Sequence, residues 1–579
     1  MKDPIESFKR LLSASISSAS GLDQDYISVK LEITRDPKFG DLAFPCFELS
    51  KLWKKSPNSC AEKLLGEISL PPQIARAEVV GAFLNFFFSK RAFAEEVLAN
   101  VKTDKSTDEP LSAEEARRIV IDYSSPNIAK PFHVGHLRTT LIGNCLDKVY
   151  RHLRYKVTSI NHLGDWGTQF GFVWAGCKLW GKPEAATVSA LVDLYRKATA
   201  LKEKQEVDPS LITSPESDIN SIARSYFVDL ENGADYAVTF WQWCLDLSLK
   251  YFKETYEKLG VHFDYYTGES FYSSHLDSVK QSLEKAGILQ RSKDAWGVDL
   301  GEELGFARIL TPDGRSLYLT RDIACAEYRN ATFKFDKALY VVGAPQELHF
   351  RQLKAILKLL GRDYADKIEH VSFGHVKGMK TRGEGGAIEL NDLLDEAKER
   401  ALDAYKTQVA KRPEDLDEEV VATAVALGAI VFSNLSRSRL KEVTFSWEHA
   451  LEFQGDTGPY ILYAYARING IKKKAKEHGI FTSASIDTNL ICDDSAYQLV
   501  KLIAEFDKAI NRTIEFSEPS YLANYALELA KGIAKSYLDL RVIGEEAALA
   551  TARLSLFEAA RQTLGTAIEL LGMRKLEQM

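Results

Sequence analysis

A short β-branched run at residues 118–123 (RIVIDY), followed at once by Ser124-Ser125-Pro126-Asn127, constrains this chain most. Val and Ile suit a pleated, half-buried surface, and the Ser-Pro-Asn cluster opens a turn, so a strand enters a loop there. Leu137, Leu141, Ile142, Cys145, Leu146, Val149 and Leu153 then recur at helical spacing, and 156–160 reads as the next strand. Strand, crossover helix and strand in that order specify a parallel sheet covered by helices. Residues 337–343 and 368–375 supply further strands, so the expected fold class is α/β. Open sheets of this kind bind ligands beyond the carboxyl ends of their strands, which directs attention to the loop after 118–123.

At 579 residues and about 150 residues per domain, the chain has room for about three or four domains. Residues 1–105 alternate helical and strand patterns and are expected to form an N-terminal α+β domain. Its apolar run 78–89 (EVVGAFLNFFFS) reads as one buried strand, and 101–117 as a polar linker. The sheet domain spans 106–400, split by a mostly helical insert at about 181–305 whose polar stretch 202–221 reads as mobile. A helical connection, 401–450, leads to an all-helical bundle, 451–579. There Leu522, Tyr525, Leu529, Ile533, Tyr537 and Leu540 form one stripe, and Phe557, Leu564, Ile568 and Leu571 another, stopped by Gly572. No internal repeat is evident.

The longest uncharged stretch, 420–436, carries Thr423, Gly428, Ser433 and Asn434 and falls short of the roughly 20 apolar residues of a membrane span, so it reads as a buried helix. Lys2, Asp3, Glu6, Lys9 and Arg10 interrupt the first residues, so no secretory signal and no membrane are expected, and the address is cytoplasmic. Seven scattered cysteines without a C-x-x-C pair argue against a disulfide framework and a cysteine zinc site. A net charge of -7 argues against indiscriminate nucleic-acid coating but leaves room for a local basic face.

The loop itself reads Asn127-Ile128-Ala129-Lys130-Pro131-Phe132-His133-Val134-Gly135-His136. Two histidines three apart at a helix start can aim imidazole N–H groups and orphan backbone amides at one anion, and glycine allows close approach. That describes a seat for a nucleoside triphosphate. An isolated H-x-x-H is more often a pair of polar loop residues, and zinc would want a partner Glu or Cys that this loop lacks.

The stretch SSPNIAKPFHVGHLRTTLIG resembles the HIGH region of class I aminoacyl-tRNA synthetases, in the form found in arginyl-tRNA synthetases. Residues 161–171 (NHLGDWGTQFG) resemble that family's next strand and loop, 317–324 (LYLTRDIA) its substrate helix, and 455–460 (GDTGPY) the entry to its anticodon-binding domain. With an extra N-terminal domain around Gly40-Asp41-Leu42-Ala43, the resemblance spans essentially the whole chain. It implies a class I Rossmann-type parallel-sheet catalytic domain with a helical insertion, an N-terminal α+β domain touching the tRNA body, and a C-terminal all-α bundle. It also implies that ATP with Mg2+ and L-arginine are substrates, that tRNA(Arg) is the partner and is needed before arginine is activated, that no structural zinc is present, and that the enzyme is a monomer. Asp122, Ser125, Asn127, His136 and Gln346 would surround arginine; His133, Gly135, His136, Gly343, Gln346 and Met379 would surround ATP.

A guanidinium is planar and permanently charged and demands a carboxylate that matches its fork. Asp322 lies four residues after Tyr318, so on a helix carboxylate and ring share a face, and the ring adds cation–π attraction. The competing reading pairs Asp322 with its neighbour Arg321 or makes it a helix cap. The family's KMSKS loop corresponds to KGMKTRGEGG at 377–386, in which Thr381 replaces the usual second lysine. Positive charge over the leaving pyrophosphate would come from Lys380, Arg382 and Lys130, and the resemblance singles out Lys130 as the compensating group. Glu384 would oppose phosphate unless it points to solvent.

Tyr460, Tyr463, Tyr465 and Arg467, followed by Lys472, Lys473, Lys474 and Lys476, combine stacking groups with charge as RNA contact requires, with Tyr537 and Met579 as further candidates. The competing reading is a solvated lysine face over core tyrosines. Rival functions are another class I synthetase or nucleotidyltransferase that takes a different acid, and an inactive tRNA-binding protein.

Overall fold

The computed structural model describes residues 4–34, 36–102, 116–130, 132–292, 294–377, 389–409, 416–483 and 485–579. The N-terminal domain packs the helix Pro4–Ser20 on a four-stranded antiparallel sheet in the order Glu32–Ile33, Leu42–Pro45, Phe83–Phe88, Ile74–Val80. The run 78–89, expected as one strand, is the return of a hairpin. Val80 pairs with Phe83 across a turn opened by Gly81 at φ +59°. Apolar residues on both sides of a two-residue turn hid the break, which only the glycine marked. Asp41 accepts from Phe88 N at 2.9 Å and pairs with Lys501 of the C-terminal helices at 3.1 Å, so it docks one domain on another.

The parallel sheet comprises β1 (Arg118–Asp122), β2 (Lys156–Asn161), β3 (Tyr265–Tyr266), β4 (Lys337–Tyr340) and β5 (Ile368–His370). All neighbours are parallel, in the order 3-2-1-4-5. Ile119, Val120 and Ile121 of β1 are buried on both faces, as a central parallel strand requires. The crossover helix α1 (Leu137–His152) is buried throughout its first three turns, held between the sheet domain and the C-terminal bundle.

The insert carries short strands besides its helices. It is helical through Val188–Val207, Ile219–Glu231 and α2 (Asp235–Leu259), after which β3 rejoins the sheet. Gln290–Arg291, Trp296–Asp299 and Phe306–Leu310 then form a separate antiparallel sheet. Strands this short leave little periodicity to read. The polar stretch 202–221 is tied to itself by one side chain: buried Gln205 donates to Ser217 O at 2.6 Å and accepts from Ile219 N at 3.1 Å. Its solvated outer face concealed one buried amide.

Helices α3 (Tyr318–Phe333) and α4 (Glu347–Leu359) complete the parallel-sheet domain. The helix Glu418–Leu435 is apolar and long enough to cross a membrane, yet 72% of it is buried in the fold. It supports α5 (Gly458–Glu477), α6 (Ser520–Asp539) and α7 (Ala547–Leu571). Thr457 caps α5 by accepting from Tyr460 N at 3.2 Å. A Cβ on Gly458 would lie 2.1 Å from Gly428 O, so glycine lets two helices meet backbone to backbone. α7 stops at Gly572, φ +85°, as expected.

Candidate active site

Between β1 and β4 the strand order reverses, and the crevice outside their carboxyl ends is where an open sheet takes its ligand. Three non-glycine residues of the loop after β1 have left-handed backbone: Ser124 (φ +74°), Ser125 (+49°) and Ala129 (+56°). Such conformations cost on the order of 1 kcal/mol or more each and persist only where neighbours over-determine them. Ser124 Oγ hydrogen-bonds the Tyr256 and Thr140 hydroxyls at 2.7 and 2.8 Å, and Ser124 N donates to Thr139 Oγ1 at 3.1 Å. Ala129 N donates to Ser248 Oγ at 3.2 Å, so α1 and α2 together hold the loop.

His133 and His136 stand 4.2 Å apart, ring to ring. Gly135 N–H donates to His133 Nδ1 at 3.0 Å, which puts the proton of the neutral ring on Nε2 as an available donor. A Cβ at residue 135 would meet that ring at 2.6 Å, so the glycine serves His133 first. His136 Nδ1 donates to His133 O at 3.3 Å. Burial lowers the pKa of both, taking His136, which also faces His133, down to about 4; both rings are therefore neutral near pH 7. The backbone amides expected to face an anion are already used: Gly135 N–H by His133, His136 N–H by His133 O at 2.9 Å, and Leu137 N–H by Val134 O. The seat thus presents imidazoles instead of amides. The Lys130 ammonium lies 5.7 Å from the ring centre of Tyr195, on the insert.

The acidic side of the crevice is wired internally. Asp122, 4% exposed, pairs with buried Arg329 at 2.7 Å and accepts from Ser125 Oγ at 3.1 Å. Asp322 Oδ2 accepts from His349 Nε2 at 2.6 Å. Tyr318, one turn earlier on α3, is 71% exposed. Arg321 pairs with Glu269 at 2.7 Å, not with Asp322 as the competing reading had it. Asp122 and Asp322 share a neighbourhood: burial lowers the pKa of His162 against the pull of both. Asn127 and Gln346 are exposed at the crevice rim, and Gly343 bridges to Phe373 where β4 ends.

Met379, Lys380 and Arg382 lie outside the described residues, and so do Thr381 and Glu384. The residues flanking that segment reach the histidine loop from both sides. Val376–Lys377 pairs with Val443–Thr444, and the Arg138 guanidinium donates to Gly374 O and Lys441 O, each at 2.9 Å. Glu389 bridges His133, and Leu390 N donates to Phe132 O at 2.8 Å. Sequence reasoning missed Arg138, Glu269, Arg329 and His349. Arg138 and His349 lay two and three residues from nominated positions; nothing in the local pattern marked Glu269 or Arg329.

In the C-terminal bundle a cavity of about 580 Å³ is lined by Tyr463, Arg467, Lys473, Lys474, Tyr537 and Met579, among others. The Arg467 guanidinium lies 4.0 Å from the Tyr537 ring centre and 5.9 Å from that of Tyr463. Lys472 does not line it: one residue is about 100° of helix, and its ammonium instead pairs with Glu558 at 2.8 Å. Tyr465 is likewise turned inward, onto Arg561 and Glu577.

Residues 97–447 match the family described as tRNA synthetases class I (R), catalytic domain; 461–579 match the DALR anticodon binding domain, and 6–88 the arginyl tRNA synthetase N terminal domain. The chain is 37% identical to the arginine–tRNA ligase of Clostridioides difficile, covering 96% of this chain and 97% of that one. It is 38% identical to the arginine–tRNA ligase of Clostridium perfringens, covering 99% and 100%. Among solved structures, Thermus thermophilus arginyl-tRNA synthetase superposes with TM-score 0.79 at 24% identity, over 99% of this chain and 100% of that one. The Plasmodium falciparum enzyme gives 0.80 at 23%, over the full length of both. At those identities the structures attest a shared fold.

Proposed function

The chain belongs to the arginyl-tRNA synthetases of class I, and from that premise we propose how its residues carry out the ligation of arginine to tRNA. The activity is that of an arginine–tRNA ligase: ATP activates L-arginine, and the arginyl group passes to the 3′ end of tRNA(Arg). One observation carries the residue assignments. Asp322 stands at the crevice with Oδ2 held by His349, receives no hydrogen bond on Oδ1 among the described residues, and has Tyr318 exposed beside it. A guanidinium can take the open oxygen and stack on the ring. Asp122 then acts from beneath, its charge already balanced by Arg329. Ser125, Asn127, His136 and Gln346 hold the α-amino and carboxylate groups.

ATP enters as its magnesium complex, as substrate, against His133, Gly135, His136, Gly343, Gln346 and Met379. An oxygen of the arginine carboxylate attacks the α-phosphorus in line, and the bond to the pyrophosphate oxygen breaks. No protein nucleophile is needed, because adenylyl transfer depends on alignment and on neutralising charge as it shifts. His133 donates Nε2–H to a phosphate oxygen without first having to lose a proton or strand a buried charge. Lys130 exchanges Tyr195 for the phosphates, joined by Lys380 and Arg382. A ribose hydroxyl of the terminal nucleotide then attacks the arginyl carbonyl and releases AMP. The tRNA is held at Tyr463, Arg467, Lys473 and Lys474, with Lys472 steadying α5 from its ion pair, and its binding precedes activation. The same reading makes the enzyme a cytoplasmic monomer; its most apolar helix, Glu418–Leu435, is used in the core.

Charging of total tRNA with each proteinogenic amino acid in turn, alongside pyrophosphate exchange with and without tRNA, tests this. Arginine alone should be charged, and exchange should need tRNA. Charging of another amino acid, or of none, would overturn the reading.

A further inference from the structure

Arg321 and Asp322 are consecutive on α3, and a guanidinium tethered next to the carboxylate that must receive a guanidinium substrate is a built-in competitor. Tethering of this kind gives effective concentrations of about millimolar order. The Arg321 guanidinium is nevertheless turned to Glu269, Nη1 to Oε2 at 2.7 Å, both side chains 14% exposed. We propose that Glu269 is a positioning residue for substrate selection: by holding Arg321, it keeps the chain's own guanidinium off Asp322 and leaves that carboxylate to free arginine. This rests on the reading of Asp322 as arginine's partner.

The holder is itself fixed. Glu269 N donates to Leu163 O at 3.1 Å, and the next residue, Ser270, gives its N–H and hydroxyl to the two oxygens of Asp165 at 2.8 and 2.5 Å. Trp241 of α2 donates to Asp165 O at 2.7 Å, so the loop after β2, the insert and the segment that follows β3 are locked together. The placement is costly. Burial pushes the Glu269 carboxyl up to about 7 against the pull of Arg321, and Asp322 and Asp165 push the same way. Buried ion pairs are poor stability devices compared with apolar residues of similar volume, so a pair kept at this cost beside the substrate carboxylate calls for another role. On its other side Asp322 meets His349, a planar ring that takes one oxygen and leaves the second open.

The test is tRNA-supported pyrophosphate exchange by the full chain, reading KM for arginine, KM for ATP and kcat in Glu269→Gln, Glu269→Gln/Arg321→Met and Asp322→Asn. Glu269→Gln should raise KM for arginine about tenfold, with KM for ATP and kcat within about twofold. The double variant, which removes the competitor together with its holder, should bring KM for arginine back to within about threefold of the parent. Should Glu269→Gln not fold, Glu269→Asp, which keeps the charge one methylene shorter, takes its place with the same expected direction. A double variant as impaired as the single one would mean that Glu269 serves the substrate or the fold directly, and would overturn the proposal. So would an unchanged KM in the single variant while Asp322→Asn raises it, leaving the Asp322 reading intact. An unchanged KM in Asp322→Asn removes that reading and this inference with it.

Discussion

On the acidic side of the crevice the carboxylates have partners before any ligand arrives: Asp122 has Arg329, Asp322 has His349 and Glu269 has Arg321. In the C-terminal cavity Lys473 and Lys474 are exposed and make no ion pair among the described residues, and Arg467 rests on two tyrosine rings. On the proposed reading the crevice tells one small cation from others, and there the geometry of its partners decides. On the same reading the cavity meets a polyanion whose binding is driven by counterion release, for which solvated charges suffice and a wrong angle costs little. On that reading, paired charge marks selection, and free, solvated charge marks capture.

That contrast is tested most severely at Asp322. Asp322→Asn should lower kcat/KM for arginine about 10³-fold, near 4 kcal/mol, because the substrate guanidinium would be left without its carboxylate. A loss confined to KM for ATP would move arginine elsewhere. Next is the pair beneath. Arg329→Met should destabilise the catalytic domain by about 3 kcal/mol by leaving Asp122 buried and uncompensated, and Arg329→Met/Asp122→Asn should recover much of it, followed by thermal melting. If the double variant melts no higher than the single, Asp122 is not a balanced floor but a group exposed to ligand.

The two regions also differed in how far the sequence disclosed them. The histidine loop, β1, α1 and the Tyr318–Asp322 face were legible because each is local: a β-branched run, a turn and a 3.6-residue period lie within consecutive residues. So was the cavity, since Tyr463, Arg467 and Lys474 recur on one side of α5, though adjacency alone also drew in Lys472. Arg329, Glu269 and His349 were invisible because their importance comes from residues 207, 52 and 27 positions away. The committed amides of the histidine loop were hidden for a different reason: helix-start chemistry predicts open donors, and a tight turn closing on His133 used them.

On the phosphate side, the neutral imidazoles leave compensating charge to come from outside the pair, and Lys130 is the one cation in the loop Asn127–His136 itself. Lys130→Ala should slow adenylate formation about 10²-fold with tRNA affinity nearly unchanged, in single-turnover measurements. An unaltered rate would mean that the segment after Lys377 suffices alone, and the crevice would then borrow free charge just as the cavity does.

The smallest effect should come from the cavity itself. Lys473→Ala/Lys474→Ala should weaken tRNA binding about fivefold near physiological salt and reduce the slope of log affinity against log salt by about one to two, since up to two phosphate contacts would be lost. Lys472→Ala should leave that slope unchanged, because its charge is already spent on Glu558 and releases no counterion from RNA. Were Lys472 to move the slope while the pair did not, solvated charge would no longer identify the RNA face, and the ion pair on α5 would have to open when tRNA binds.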